Sequence, residues 1–93
     1  MGRKSKAQII IEAQKDIVAE NPETRYLILY DFEGGKNPRQ FYLNLHRLFD
    51  HYGGSLVQRS VAEVTGCKAS RAVESLAKGY GAKVLRYRVE KEE

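Results

Sequence analysis

The sequence predicts an α+β protein in which two helices pack on one face of a four-stranded antiparallel sheet. Three observations lead to this fold class: an apolar run at residues 26–32, a broad apolar stripe at helical spacing just after it, and alternation of apolar and basic residues at 83–90. The chain has 93 residues, of which 42% are hydrophobic and 30% are charged. This length and composition predict a single globular domain with one hydrophobic core.

The first element is a predicted helix at residues 5–20. Ile10, Ala13 and Ile17 recur there at helical spacing and would form its buried stripe. A residue that precedes proline avoids the α-helical region, so this helix is expected to end before Pro22.

The next two elements are a strand and the strongest helix of the chain. Residues 26–32 are apolar on both faces, which is typical of a central strand covered on both sides, and residues 33–36 form a glycine-containing turn. Asn37 can cap the following helix, Pro38 suits its first position, and Gly53 ends it. The stripe of this helix consists of Phe41, Leu45, Leu48 and Tyr52, flanked by Tyr42 and Phe49.

The remaining residues predict two strands, a helix and a last strand. Residues 56–60 and 61–65 have the composition of paired strands, and residues 68–80 form an amphipathic helix closed by Gly81. The last strand, 83–90, has an apolar face and an exposed basic face, made respectively of Leu85, Tyr87 and Val89 and of Arg86 and Arg88.

This order of elements is that of a ferredoxin-like βαββαβ sandwich at residues 25–93, preceded by an N-terminal helical extension at residues 1–24. The extension could cover the open face of the sheet or a dimer surface. The alternative fold is a winged helix of a DNA-binding transcriptional regulator, with a helix, turn and recognition helix at 60–81 and a wing at 83–90. That alternative requires residues 26–32 to be helical, which their composition opposes.

Composition also excludes several classes of protein. The single Cys67 cannot form an internal disulfide, and without a second cysteine no zinc site of cysteine and histidine pairs can form. His46 and His51 lie five residues apart, about 140° around a helix, so they are not paired ligands. The apolar runs are too short to span a membrane, and we expect a cytoplasmic protein.

The distribution of charge points to a polyanionic partner. The formal net charge is +4, and between Lys68 and Arg88 there are six basic residues but only one acidic residue, Glu74. Such residues neutralise phosphates without reading bases, so binding to RNA or duplex DNA would tolerate any sequence and weaken with salt. The alternative is a solvated surface that keeps the protein soluble. The candidate nucleic-acid-binding residues are Lys68, Arg71, Lys78, Lys83, Arg86 and Arg88, with Arg39 and Arg59 as additions.

Asp31 is the candidate catalytic and metal-binding residue. It follows an apolar run at the end of the predicted central strand, where a carboxylate is unfavourable unless it has a partner. There it could hold Mg²⁺ and position a phosphate or activate a water. The alternative is that Asp31 accepts backbone hydrogen bonds from the turn at 33–35.

Four pieces of the sequence together resemble a known family. They are Leu29-Tyr30-Asp31, Tyr52-Gly53, the stretch VQRSV at 57–61 and the closing KVLRYRVE. They resemble the small CRISPR-associated adaptation proteins, which are ferredoxin-fold companions of the spacer integrase and are often classed as endoribonucleases. The resemblance covers residues 25–90. It implies a homodimer built through sheet edges, a metal-dependent endonuclease role for Asp31 and basic surfaces that contact nucleic acid.

This chain departs from the family at its N-terminal extension and at Ala62, where the family usually has an aromatic residue. A third hypothesis is therefore a non-catalytic protein-interaction module, antitoxin-like or a scaffold, whose sheet edges pair with a partner protein.

Overall fold

The computed structural model describes residues 4–17, 22–35 and 38–90. These residues contain three α-helices, four strands and a short 3₁₀ turn at Glu33–Gly35. The elements in chain order are α1 (Lys6–Gln14), β1 (Arg25–Asp31), α2 (Arg39–Tyr52), β2 (Ser55–Gln58), β3 (Val61–Thr65), α3 (Cys67–Gly79) and β4 (Lys83–Val89).

The four strands form one antiparallel sheet in the order β2-β3-β1-β4. β1 is a central strand, as predicted: Leu29 pairs with Val61 of β3 on one side and with Leu85 of β4 on the other. The α+β class with a four-stranded antiparallel sheet is confirmed, and the arrangement is compatible with a ferredoxin-like fold. Because Arg25–Asp31 is a strand, the winged-helix alternative is wrong.

Helices α2 and α3 cover one face of the sheet, and the core lies between the two layers. The rings of Tyr30 and Phe32 on the β1 side meet Phe41 of α2 edge-on, at centroid distances of 4.9 and 5.0 Å. The predicted apolar stripes of both helices are buried in this core. Its largest fully buried side chains are Phe41, Ile28, Leu45, Leu48, Leu76, Val64 and Val73.

Helix α1 packs against α2 and α3 and so belongs to the helical layer. Its start is capped by Ser5, whose hydroxyl accepts a hydrogen bond from the Gln8 backbone at 3.1 Å. The Ala7 backbone N–H donates to the Asn44 side chain at 3.1 Å. Placing the extension over the open face of the sheet was therefore wrong.

The predicted extent of α1 was also wrong. The helix ends at Gln14, and its buried residues are Ala7 and Gln14, while Ala13 and Ile17 are exposed. The Gln14 amide donates to the Tyr52 hydroxyl at 3.0 Å, so a polar residue outside the predicted stripe is buried in place of Ala13 and Ile17. Residues 18–21 of the predicted helix lie outside the described residues.

Two predictions about the faces of the sheet were wrong. β1 is covered on one face only: Ile28 is fully buried, whereas Leu27 and Leu29, on the other face, are half-buried. β4 is turned the opposite way from the prediction. Its arginines lie on the helix side of the sheet because Arg86 pairs with Ile28, and its apolar residues Leu85, Tyr87 and Val89 lie on the open face.

The turns between the elements lie near the glycine and proline residues that the sequence indicated. Gly34 in the turn after β1 has a φ of 77°, and α2 ends at Gly53, as predicted. Pro38 is the N-cap residue of α2 and not its first helical residue. The predicted cap Asn37 lies outside the described residues. β2 and β3 are joined by the two-residue turn Arg59-Ser60.

Across the described ranges, no helix is both long and apolar enough to cross a bilayer.

Candidate nucleic-acid interface

Four of the predicted basic residues lie together on α3 and β4. We call this set, Arg71, Lys78, Arg86 and Arg88, the α3–β4 basic surface. α3 buries its other side against the sheet, so Arg71 and Lys78, two turns apart, face solvent. β4, an edge strand, contributes Arg86 and Arg88 to the same side because these two residues occupy helix-facing positions.

Arg86 connects the two elements. Its Nη1 lies 3.4 Å from the Ser70 hydroxyl and 3.8 Å from Oε1 of Glu74, and its guanidinium carbon lies 5.8 Å from the Tyr26 ring centroid. Glu74 also faces Lys78 at 3.7 Å. One carboxylate thus serves two basic side chains, which leaves this part of the surface positively charged.

The remaining ion pair at this surface is weak. Arg88 meets Glu90 at 3.2 Å, but the two side chains are 63% and 80% exposed. Pairs so exposed to water contribute little to stability, and the arginine is easily released to another anion. The geometry therefore presents guanidinium and ammonium groups that can exchange a carboxylate for a phosphate.

The structure does not bring the other four predicted basic residues to this surface. Lys68 is half-buried, and its backbone carbonyl accepts a hydrogen bond from Gln14 at 3.1 Å. Lys83 starts β4 on the open face, opposite Asp31. Arg39 is exposed at the start of α2, and Arg59 is exposed in the β2–β3 turn.

Two tyrosines fix the turn that carries Arg59. The hydroxyls of Tyr30 and Tyr42 both donate to the Arg59 carbonyl, at 2.8 and 2.9 Å. Burial raises the pKa of the Tyr30 phenol well above its ordinary value, and Tyr42 beside it adds to the effect. Sequence reasoning missed this pair, because the tyrosine spacing on β1 and α2 indicates only core positions.

Asp31 is an exposed residue at the carboxyl end of β1. It lies opposite Lys83 in the register and lines a shallow groove of about 290 Å³ with Glu33, Gly34 and Gly81. With the described residues its carboxylate forms no hydrogen bond, so the predicted capping of the turn at 33–35 is not seen.

The donors around Asp31 do not make a magnesium site by themselves. Within the described ranges, no three His, Cys, Asp or Glu side chains come together so that they could hold a metal ion. Mg²⁺ requires several oxygen ligands in octahedral geometry, and the residue that faces Asp31 is the cation Lys83. The Mg²⁺ and nuclease assignments of Asp31 remain predictions.

The histidines and the cysteine lie apart from this groove. His46 and His51 are exposed on α2 and face different rings, Phe49 at 5.9 Å and Tyr52 at 4.6 Å. Cys67 is half-buried at the start of α3. Neither histidine is placed as a partner for a nucleophile.

Comparison of the chain with known proteins found no matching family model, no matching curated protein and no matching solved structure.

Proposed function

We propose that this chain is a nucleic-acid-binding protein of ferredoxin-like fold that contacts the phosphate backbone through the α3–β4 basic surface. The observation that supports the proposal is that Lys78 of α3 and Arg86 of β4 share the carboxylate of Glu74, with Arg71 exposed on α3 and Arg88 exposed on β4 beside them in sequence. Phosphate oxygens can take the place of the carboxylate oxygen in the exposed pair between Arg88 and Glu90. The proposed activity is binding without sequence preference.

Two further parts of the proposal follow from the family resemblance. They are a relationship to the CRISPR-associated adaptation proteins and assembly as a homodimer. The proposal of a cytoplasmic location rests instead on the single cysteine and the short apolar runs. A dimer would present the basic surface twice, which would extend the length of nucleic acid that is contacted.

The binding proposal is tested with labelled single-stranded RNA and duplex DNA of equal length, by fluorescence anisotropy at 50 to 200 mM salt. For four phosphate contacts on duplex DNA we expect the affinity to fall about 100-fold over this range. Arg71→Gln combined with Arg88→Gln should reduce the slope of log affinity against log salt by about 2. Equal slopes for parent and double variant would contradict the proposal.

The matched control is Arg47→Gln, which removes an exposed arginine from α2, outside the basic surface. It lowers the net charge by the same amount per substitution as Arg71→Gln. A proportionate loss of affinity in the control would mean that overall charge, and not this surface, carries the binding.

The same binding mixtures, incubated with Mg²⁺ and run on a denaturing gel, test the nuclease prediction. Intact strands support a binding protein. Cut strands that become intact with Asp31→Asn would replace the binding proposal with a nuclease. Absence of binding to both nucleic acids would favour the protein-interaction module.

A further inference from the structure

Two further arginines lie next to Tyr42, away from the α3–β4 basic surface. The Tyr42 hydroxyl donates to the Arg59 carbonyl at 2.9 Å, and Arg39 precedes Tyr42 by three residues on α2. Residues three apart on a helix are neighbours on its surface, so Tyr42 connects the two arginines. Both of them are exposed. We call Arg39 and Arg59 the turn-side arginines.

We infer that the turn-side arginines form a second phosphate contact for the nucleic acid, in which Tyr30 and Tyr42 are positioning residues for Arg59. The inference rests on the proposed function and adds to it a binding site outside α3 and β4. It also gives the two tyrosine hydroxyls a role in binding.

Three hydrogen bonds hold the two-residue turn that carries Arg59. The hydroxyls of Tyr30 and Tyr42 donate to the Arg59 carbonyl at 2.8 and 2.9 Å, and the Tyr30 backbone N–H donates to the Ser60 carbonyl at 3.0 Å. All three donors belong to β1 and α2, not to the hairpin itself. The backbone at Arg59 is therefore fixed before a ligand binds. A site ordered in advance loses less conformational freedom on binding.

The two tyrosines differ in burial, which allows packing and positioning to be separated. Tyr30 is 2% exposed, and its ring meets the Phe41 ring in the core at a centroid distance of 4.9 Å. Tyr42 is half-buried, and its hydroxyl reaches the turn at the surface. Tyr42→Phe keeps the aromatic ring and removes only the hydroxyl. This substitution therefore loosens the turn at Arg59 with little change in the core.

The charges near Tyr42 favour a phosphate ligand. Among the described residues, no carboxylate oxygen lies within 4 Å of the guanidinium of Arg39 or Arg59, whereas each arginine of β4 has one. Asp31, the residue after Tyr30, lies on the open face opposite Lys83. A guanidinium presents its donors in a planar fork that matches phosphate oxygens. Binding here would replace water and break no ion pair between described residues.

The second contact is separated from the first by the width of the sheet. β3 and β4 lie on opposite sides of β1, so the β2–β3 turn is displaced from β4 by at least two strand spacings, about 10 Å. Substitutions this far apart, with no shared partner, should have additive effects on affinity. The two contacts can therefore be tested independently.

The test is a double-mutant cycle between Tyr42 and Arg59, measured by anisotropy with the labelled single-stranded RNA and duplex DNA at 50 mM salt. Arg59→Gln should weaken binding about fivefold and lower the slope of log affinity against log salt by about 0.9 on duplex DNA. Arg39→Gln should have a similar effect. Tyr42→Phe should weaken binding about twofold in the parent chain and leave it unchanged in the Arg59→Gln chain.

The matched control background is Arg47→Gln, since Arg47 is another exposed arginine of α2, about two turns beyond Arg39. In that background Tyr42→Phe should still weaken binding about twofold. Circular dichroism checks that each variant is folded. If Tyr42→Phe does not fold, Tyr30→Phe replaces it in the cycle, because it removes the other hydroxyl from the same carbonyl.

The outcomes separate this inference from the proposed function. An effect of Tyr42→Phe that is the same with and without Arg59, or absent from both, would overturn the positioning role. Unchanged affinity and salt slope in Arg39→Gln and Arg59→Gln would overturn the second contact. The proposed function would survive that result if the double variant at Arg71 and Arg88 still lowers the slope. A parent chain that binds neither nucleic acid would overturn both.

Discussion

Both faces of β1 carry large apolar residues, but the helices cover only one of them. On β1, Ile28 is fully buried under the helices, while its neighbour Leu29 is only half-buried on the open face. Both are aliphatic residues of similar size in the middle of a central strand. Apolar composition on both sides of a strand therefore does not show that both sides are covered within one chain. The difference in burial between Ile28 and Leu29 shows that packing within the chain covers one face of the sheet and leaves the other accessible.

Alanine substitutions of two neighbouring residues of β1, one on each face, should give the largest difference in the free energy of unfolding. Ile28→Ala should lower the free energy of unfolding by about 3 kcal/mol, because it leaves a cavity between the sheet and the helices. Leu29→Ala should lower it by about 1 kcal/mol in the monomer, since part of its side chain is already in water. Urea denaturation at 1 µM protein measures both. Equal losses would show that the open face is covered in the monomer.

Two glycines, one crowded by core side chains and one in open space, test how closely the covered side of the fold is packed. Gly54, with a φ of 123°, sits where an added Cβ would lie 2.8 Å from the Val64 side chain and 2.9 Å from the Phe49 ring. Gly54→Ala should destabilise the fold by about 2 kcal/mol through strain and crowding. Gly79→Ala, in the last turn of α3 with no atom near the added carbon, should stabilise it by about 0.5 kcal/mol. Thermal unfolding compares the two. A Gly54→Ala chain as stable as the parent would contradict the packing described at Gly54, and a destabilised Gly79→Ala chain would contradict the open space at Gly79.

A smaller effect than at Ile28 or Gly54 is expected where the Tyr30 hydroxyl contacts the β2–β3 turn. Tyr30→Phe removes the hydrogen bond to the Arg59 carbonyl and should cost about 1 kcal/mol at pH 7. Burial raises the pKa of this phenol in the folded state above that in the unfolded state, ordinarily about 10. Its contribution is therefore complete below about pH 10 and is lost at higher pH. The stability difference between parent and variant should shrink in chemical denaturation above that pH, and a difference that grows would contradict the assigned burial.

Much of the fold could be predicted because its signals are local. The stripe on α2, its end at Gly53 and the strand at β1 depend on spacing and on residues adjacent in the chain. α1 shows where such reasoning fails. Its polar residue Gln14 is buried because Tyr52 and the Lys68 carbonyl, distant in sequence, satisfy its amide. No helical periodicity in residues 5–20 could reveal those partners.

The sequence could indicate the candidate basic residues, but not which of them lie on one surface of the folded chain. Eight basic residues were predicted from composition, and the tertiary structure gathers Arg71, Lys78, Arg86 and Arg88 while it separates the others. Arg86 shows the reason. On an edge strand a long side chain can lie over the Tyr26 ring, reach Glu74 and still keep its charge near water. A basic residue that alternates with apolar residues along a strand can therefore lie on the same face of the sheet as the core.

By itself, the sequence determined the class of the fold, the order of its strands and helices, and the excess of positive charge in its last third. Those properties follow from composition and from periods of 2 and 3.6 residues, which act within each element. Only the tertiary structure decided which face of the sheet the helices cover, where α1 packs and which basic residues meet Glu74. Alternation separates the two faces of β4, but the pairing of Arg86 with Ile28 determines which face is turned to the helices.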